Sequence, residues 1–263
     1  KRYFRSEEKV SVLTKEINNK TWRLGFTICE DLWVNKNIEG RGIHKENPIF
    51  ELKKKKVDIL VNLSASPYTF KKLELRSKVS SFAAQYLQVP LIYVNQIGAN
   101  DNLIFDGNSF ILDKNGSKIK QLKSFSEDFS SWDIEKTKPQ KNKFEKSEMS
   151  SIFDALVLGV KDYAQKCGFK TALIGLSGGI DSALVSAIAT AALGSKNIYC
   201  VSMPSKWSSP HSKSDAKDLA SRLKINFNSI PIENLMSSFE ESFINTISFE
   251  MAEITNQNIQ SRI

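Results

Sequence analysis

The sequence predicts an α/β protein in two parts, the second built on a parallel, doubly wound sheet. Three observations carry this. Short apolar runs, bounded by turn residues, recur before residue 135. A polar, proline-containing stretch at 135–148 has the composition of a linker. Beyond it, strand-like runs alternate with helix-length segments, the mark of consecutive β-α-β units.

In the first part, "WRLGFTIC" (22–29), "VDILVNLS" (57–64), "VPLIYVNQ" (89–96) and "NSFILD" (108–113) are rich in β-branched and aromatic residues and read as strands. Residues 70–87 read as a helix, with Phe82, Ala83, Tyr86 and Leu87 at three- and four-residue spacing. "DKNGSK" (113–118) is an Asn-Gly turn that joins "NSFIL" to a following strand. Lys53 to Lys56 form the solvated end of an apolar helical segment.

In the second part, 150–166 is a helix with Ile152, Leu156, Val160 and Tyr163 on one stripe and Gly168 as its C-cap. "TALIGL" (171–176) is a strand, "SALVSAIATAAL" (182–193) a helix ended by Gly194, and "NIYCVSM" (197–203) a second strand. "SKSDAKDLASRL" (212–223) is a helix with Ser212 or Ser214 near its cap. "NFNSIPI" (226–232) is a third strand, and a helix follows from about 233.

The 263 residues suffice for two ordinary domains, and 41% hydrophobic content gives each a core. No apolar run approaches the roughly 18–20 residues of a membrane span. The net charge of +8 permits a nucleic-acid partner, but the lysines are scattered rather than gathered into a stripe, so none is expected. Cys29, Cys167 and Cys200 are an odd, sparse set without CxxC, which argues against disulfides and zinc and for a reducing, cytoplasmic compartment. Cys167 and Cys200 read as packing residues. His44 and His211 lack a third metal ligand; His211 lies near the glycine loop described next.

"LIGLSGGIDSALVSAIA" (173–189) turns from an apolar strand into Ser177-Gly178-Gly179 and then, without a break, into a helix. Glycines let a ligand touch the main chain, and the amides of a helix start attract anions. The loop is a phosphate cradle, yet it lacks the Gly-Lys-Ser/Thr of a Walker A motif and the GxGxxG of a dinucleotide fingerprint. Asp181 inside it would repel phosphate unless a metal bridged the two, which points to magnesium.

This segment resembles the PP-loop of ATP pyrophosphatases, which adenylate a substrate while cleaving ATP to AMP and pyrophosphate. The resemblance implies ATP contacts from Gly175, Leu176, Ser177, Gly178, Gly179, Ile180, Asp181 and Ser182, with Asp181 holding Mg2+. "VSMPSKWSSPHSKSDAKDLASRL" (201–223) is similar to the NAD synthetase segment that places adenine near Met203. "EITNQNIQSRI" (253–263) is similar to that family's E-N-x-Q-A-R-x-R segment, implying that Asn258 and Arg262 meet deamido-NAD.

"CEDLW" (29–33) and "NLSASPY" (62–68) resemble the later half of a nitrilase-superfamily amidase domain. The whole chain thus resembles the glutamine-dependent NAD synthetases, in which such a domain (here 1–134) is joined by a linker (135–148) to an ATP-pyrophosphatase domain (149–263). The implied fold is a truncated nitrilase-like α-β-β-α sandwich plus a Rossmann-like, adenine nucleotide alpha hydrolase type, parallel-sheet domain.

The implied chemistry is attack of Cys29 on glutamine held by Ser66 and Lys72, delivery of ammonia, and ATP-dependent amidation of deamido-NAD, in a homo-oligomer. The family has Gly where this chain has Lys71. "KRYF" at the start is similar to the segment just after the family's catalytic lysine, so its Glu and Lys are expected upstream, and a Thr-Gly-Asn segment beyond Ile263. On that reading the polypeptide as written is inactive in both half-reactions. A tRNA-modifying PP-loop enzyme and an inactive binding module are the alternatives.

Overall fold

The computed structural model of the chain describes residues 10–33, 47–134 and 147–247, together with Asn258. They fall into two units, Lys1–Gly159 and Val160–Ile263. The stretch expected to be a linker, 135–148, lies mostly outside the described residues.

The first unit holds strands β1 (Val12–Ile17), β2 (Lys20–Ile28), β3 (Ile59–Ser64), β4 (Leu91–Asn95), β5 (Ile97–Asn100), β6 (Leu103–Asp106), β7 (Phe110–Leu112) and β8 (Lys118–Gln121), with helices α1 (Pro48–Lys54) and α2 (Lys72–Leu87). Six strands form one sheet in the order β1-β2-β3-β4-β7-β8, and β5 and β6 form a separate hairpin. The middle of the sheet, β2-β3-β4, is parallel; the other pairings are antiparallel.

Two elements escaped the sequence pattern. β1 carries charges and is exposed at five of its six positions, so no alternation betrays it. It pairs with β2 across Asn18 and Asn19, which both have positive φ (51° and 56°) as a tight two-residue hairpin turn requires. The β5–β6 hairpin is too short to show a period.

The helices cover one face of the sheet. Gly25 of β2 lets α1 close down: a Cβ there would sit 3.0 Å from Leu52 and Val57 side chains. Asn47 caps α1, its side chain accepting from the Ile49 and Phe50 amides, with Pro48 at the first position. The sheet-facing side of α2 is Arg76, Val79, Ser80, Ala83, Ala84 and Leu87. This corrects the expected stripe. Small residues let the helix lie close to the sheet, whereas Phe82 and Tyr86 stack on each other outside the core, and Tyr86 packs against Phe50 of α1 with ring centres 4.8 Å apart.

On the other face, Ile28, Leu63 and Val94 pair in register across three strands and are exposed. That apolar row is the surface a second sheet covers in an α-β-β-α sandwich.

The second unit comprises α3 (Glu148–Cys167, whose first turns belong to the first unit), β9 (Ala172–Gly175), α4 (Ile180–Leu193), β10 (Ile198–Ser202), α5 (Pro210–Leu223), β11 (Asn226–Ser229) and α6 (Glu233–Ile247). Its three strands are parallel in the order β11-β10-β9. The parallel sheet is as expected; the double winding is not seen, because among the described residues the strands wind in one direction only. Leu176, Ala189, Ile198, Cys200, Ala216, Ala220 and Ile225 form its core.

Three local expectations change. Leu156, Val160 and Tyr163 of α3 are exposed, and the buried positions are Ala155, Leu158 and Ala164. Ser209, not Ser212 or Ser214, caps α5, because Pro210 fixes the first helical residue after it. Cys167 is exposed at the last residue of α3, just before Gly168 turns the chain at φ 75°, so it does not pack; Cys200 is fully buried.

Gly116 in the β7–β8 turn has φ 77°, and a Cβ there would lie 2.9 Å from Cβ of Ser81, whose hydroxyl donates to the Gly116 carbonyl. Gly116→Ala is expected to lower stability by about 2 kcal/mol, combining left-handed strain with overpacking. The urea midpoint of unfolding, read on the first unit's signal, checks it.

Candidate functional site

Residues 176–179 make the whole connection from β9 to α4. Gly178 sits at φ 85°, and a Cβ there would overlap the carbonyl of Ser212 in the first turn of α5. Only glycine allows the loop to lie so close to a second helix start. The N-cap of α4 is Gly179, and no side chain caps that first turn. The helix start thus keeps the partial positive charge that holds an anion.

The Ser177 and Ser182 hydroxyls are 3.0 Å apart. Ser177 Oγ accepts from the Gly179 amide, while Ser182 Oγ accepts from the Ser177 amide and donates to the Gly179 carbonyl. Both serines brace the loop itself, which preorganises it.

A cleft of about 210 Å³ opens beside this loop. Gly175 to Ser177 form one wall, Val201 to Pro204 another, and Ser208, Ser212 and Lys213 close it. The Met203 methyl would lie 3.6 Å from a Cβ at Gly175. Leu176 enters the cleft by its main chain, since its side chain is buried in the core. Ile180 is exposed on the first turn of α4. Ser208, Ser212 and Lys213 were missed in the sequence, although "SSP" before a helix was the available signal for a second helix start; His211 is not among the cleft residues.

Asp181 lies in the first turn of α4 and is exposed. No group of three His, Cys, Asp or Glu side chains could hold a metal among the described residues. A single exposed carboxylate next to the loop suits magnesium, which keeps several waters and takes oxygens from a bound phosphate, rather than an all-protein cage. Asn258 is helical and exposed; Arg262 and His44 lie outside the described residues.

At the first unit, β2, β3 and β4 are parallel, so their carboxyl ends share one edge. Cys29 follows the last residue of β2 with φ 46°, a left-handed conformation that non-glycine residues rarely adopt and that clusters at functional positions. Asp31 braces the elbow: its Oδ2 accepts from the Ile28 amide at 2.8 Å. Beneath lies a polar row, with Thr27, Asn62 and Tyr93 paired in register across the three strands. Asn62 Nδ2 donates to Thr27 Oγ1 (3.0 Å) and to the Cys29 carbonyl (3.5 Å), and Asn62 Oδ1 accepts from Ser64.

Burial pushes the Tyr93 phenol above its ordinary value; hydrogen bonds with Ser64 and Ser66 and the Arg76 charge pull the other way, and a charge on Cys29 pushes it up. Ser66 is buried, its amide and carbonyl bound by Asn95. Lys72 is the first residue of α2, and its Nζ lies 4.5 Å over the Trp33 ring, just past the Cys29 elbow. Lys71 before it has φ 59°, the conformation glycine favours, so the departure noted in the sequence falls on a backbone position made for glycine.

The carbon-nitrogen hydrolase family matches residues 1–138 and the NAD synthase family residues 152–263. A glutamine-dependent NAD(+) synthetase from Synechocystis sp. is 42% identical, the match covering 100% of this chain and 47% of the relative. Another from Thermotoga maritima is 34% identical over 100% of this chain and 50% of its own length. The solved glutamine-dependent NAD+ synthetase from Acinetobacter baumannii, in complex with ADP, superposes with a TM-score of 0.85 at 32% identity, covering 99% of this chain and 48% of that one. The chain spans about half the length of the curated relatives it matches. These matches give the tRNA-modifying alternative no support. Among the described residues no helix is long and apolar enough to cross a membrane.

Two outcomes follow. Lys71→Gly is expected to stabilise the first unit by about 1 kcal/mol, the cost of a left-handed non-glycine residue, measured by urea unfolding. The raised Tyr93 value means that the unfolded chain loses the phenol proton at a lower pH than the folded one. Stability from this group is complete below the ordinary value of 10.0 and is lost as pH rises through the folded value. The melting temperature should fall above that pH, and less steeply in Tyr93→Phe.

Proposed function

Because the chain belongs to the carbon-nitrogen hydrolase family in its first half and carries an NAD synthase segment in its second, the pairing of the glutamine-dependent NAD(+) synthetases, we propose that it serves the ATP-dependent amidation of deamido-NAD with ammonia drawn from glutamine. The observation that carries this is the presence in one chain of a left-handed cysteine elbow at a parallel sheet edge and an SGG loop between a parallel strand and a helix.

In the first unit Cys29 Sγ adds to the glutamine carboxamide carbon, ammonia leaves, and water releases glutamate from the thioester. Arg76 donates to the Ser66 hydroxyl and carbonyl, and the segment so fixed helps hold glutamine. Lys72 supplies the positive charge for the substrate carboxylate.

In the second unit the cleft at Gly175 and Met203 takes the adenosine moiety of ATP; the A. baumannii relative was solved in complex with an adenine nucleotide, ADP. Gly178 to Ser182 hold the phosphates. The carboxylate of deamido-NAD displaces pyrophosphate from the α-phosphorus, and ammonia then displaces AMP from the adenylate. Asn258 and Arg262 hold the dinucleotide. Asp181 would hold magnesium together with phosphate oxygens, and that ion would offset the charge gathering on pyrophosphate. The loop's part is placement and preorganised dipoles. The three cysteines are free thiols, which suits the cytoplasm. A homo-oligomer would help confine the ammonia.

Variants of the full-length enzyme test this. Cys29→Ala should abolish glutamine-supported NAD synthesis and leave ammonia-supported synthesis intact. Asp181→Asn should lower both by about 100-fold or more, the scale of losing one transition-state electrostatic contact. Steady-state rates with each nitrogen donor are the measurement, and glutamine-supported turnover by Cys29→Ala would falsify the assignment of the nucleophile.

A further inference from the structure

Arg76 and Asp106 form an ion pair whose side chains are 1% and 2% exposed. All three nitrogens of the Arg76 guanidinium donate. Nη1 donates to both Asp106 oxygens (2.8 and 3.0 Å), Nη2 to the carbonyls of Ser66 (2.7 Å) and Pro67 (3.0 Å), and Nε to Ser66 Oγ (3.1 Å). Asp106 Oδ2 also accepts from Asn108, whose Oδ1 accepts from Gln121. From the other side Asn95 accepts from the Ser66 amide and donates to the carbonyls of Ser66 and Gly107.

A buried ion pair is weak as a source of stability, because desolvating both charges offsets most of their attraction, and apolar replacements are often neutral. Its distinctive property is geometry. The guanidinium is a planar fork that dictates where each acceptor must sit. Here it draws two successive carbonyls inward, and Pro67 has no amide with which the loop could fix itself. The same residue lies one helical turn after Lys72 on α2, so the two share a face at i and i+4. One side chain therefore sets Ser66 by direct bonds and Lys72 through the helix it anchors.

We propose that the Arg76–Asp106 pair is the positioning device of the glutamine site, fixing Ser66 and Lys72 in register with the Cys29 elbow and thereby setting the affinity for glutamine. Arg76 meets no substrate and takes no part in bond making. This inference rests on the reading of the first unit as a glutaminase.

The test uses the full-length enzyme. Arg76→Lys keeps the charge but loses the fork; Asp106→Asn keeps the shape but loses the charge that orients the fork. Each should raise KM for glutamine by about tenfold or more, the scale of one lost charge-assisted hydrogen bond. Glutaminase kcat should change less than about threefold, and ammonia-supported synthesis, the fold control, should be unchanged. If Arg76→Lys is lost to misfolding, Asp106→Asn carries the comparison. Wild-type KM for glutamine in a folded variant, with only a lowered melting temperature, overturns the proposal and leaves the pair structural. A wild-type enzyme that hydrolyses no glutamine, or a Cys29→Ala variant that still does, overturns the glutaminase reading itself and this inference with it.

Discussion

Parallel strand pairing places the connection after each strand on one edge of a sheet, and the Cys29 elbow and the glycine loop both depend on that constraint. In the first unit β2, β3 and β4 end together, so Cys29, the Ser64–Ser66 segment and Asn95 arrive at a common edge although they are some thirty residues apart in turn. In the second unit β9 and β10 end side by side, which sets the glycine loop against Met203. The carboxyl edge of a parallel sheet is where backbone amides of following helices face inward and where ligands of such folds bind.

The first unit's edge is then stiffened by buried polar bonds rather than by apolar packing. Thr27, Asn62 and Tyr93 lie in register where a sheet core normally carries only apolar side chains. Burying such groups costs free energy unless each finds a partner, and here Asn62 bridges to Thr27, Ser64 and the Cys29 carbonyl. The Arg76–Asp106 pair repeats the device one layer out. A network with every member satisfied has few alternative arrangements, so it holds a reactive loop in one shape.

Two of the chain's left-handed non-glycine residues fall at the first of these edges. Cys29 and Lys71 both occupy left-handed conformations, and one opens the elbow's short turn while the other precedes α2. At Gly178 the same conformation comes at little cost because no Cβ is present. Strain of this kind persists only where neighbouring bonds over-determine the backbone, as Asp31 does at Ile28 and as the braced serines do at the glycine loop.

The sequence by itself determined the local features: strands from β-branched runs, the order of strands and helices beyond residue 150, the Asn-Gly turn at Gly116, and the SGG loop as a strand-to-helix connection. Each of these follows from a preference or a period that few neighbouring residues express. It also pointed to Cys29, Ser66 and Lys72, through motifs rather than through physics. Tertiary structure alone decided what those residues touch. That α2 turns Arg76, Ser80 and Ala83 inward and leaves Phe82 and Tyr86 outside depends on how closely a helix can approach a sheet, and hydrophobicity along the chain does not encode distance. Nor could spacing reveal that Arg76 divides its fork between a loop ten residues before it and a carboxylate thirty residues after. Periodicity reports which side of an element is buried; only the folded packing reports the partner on the other side.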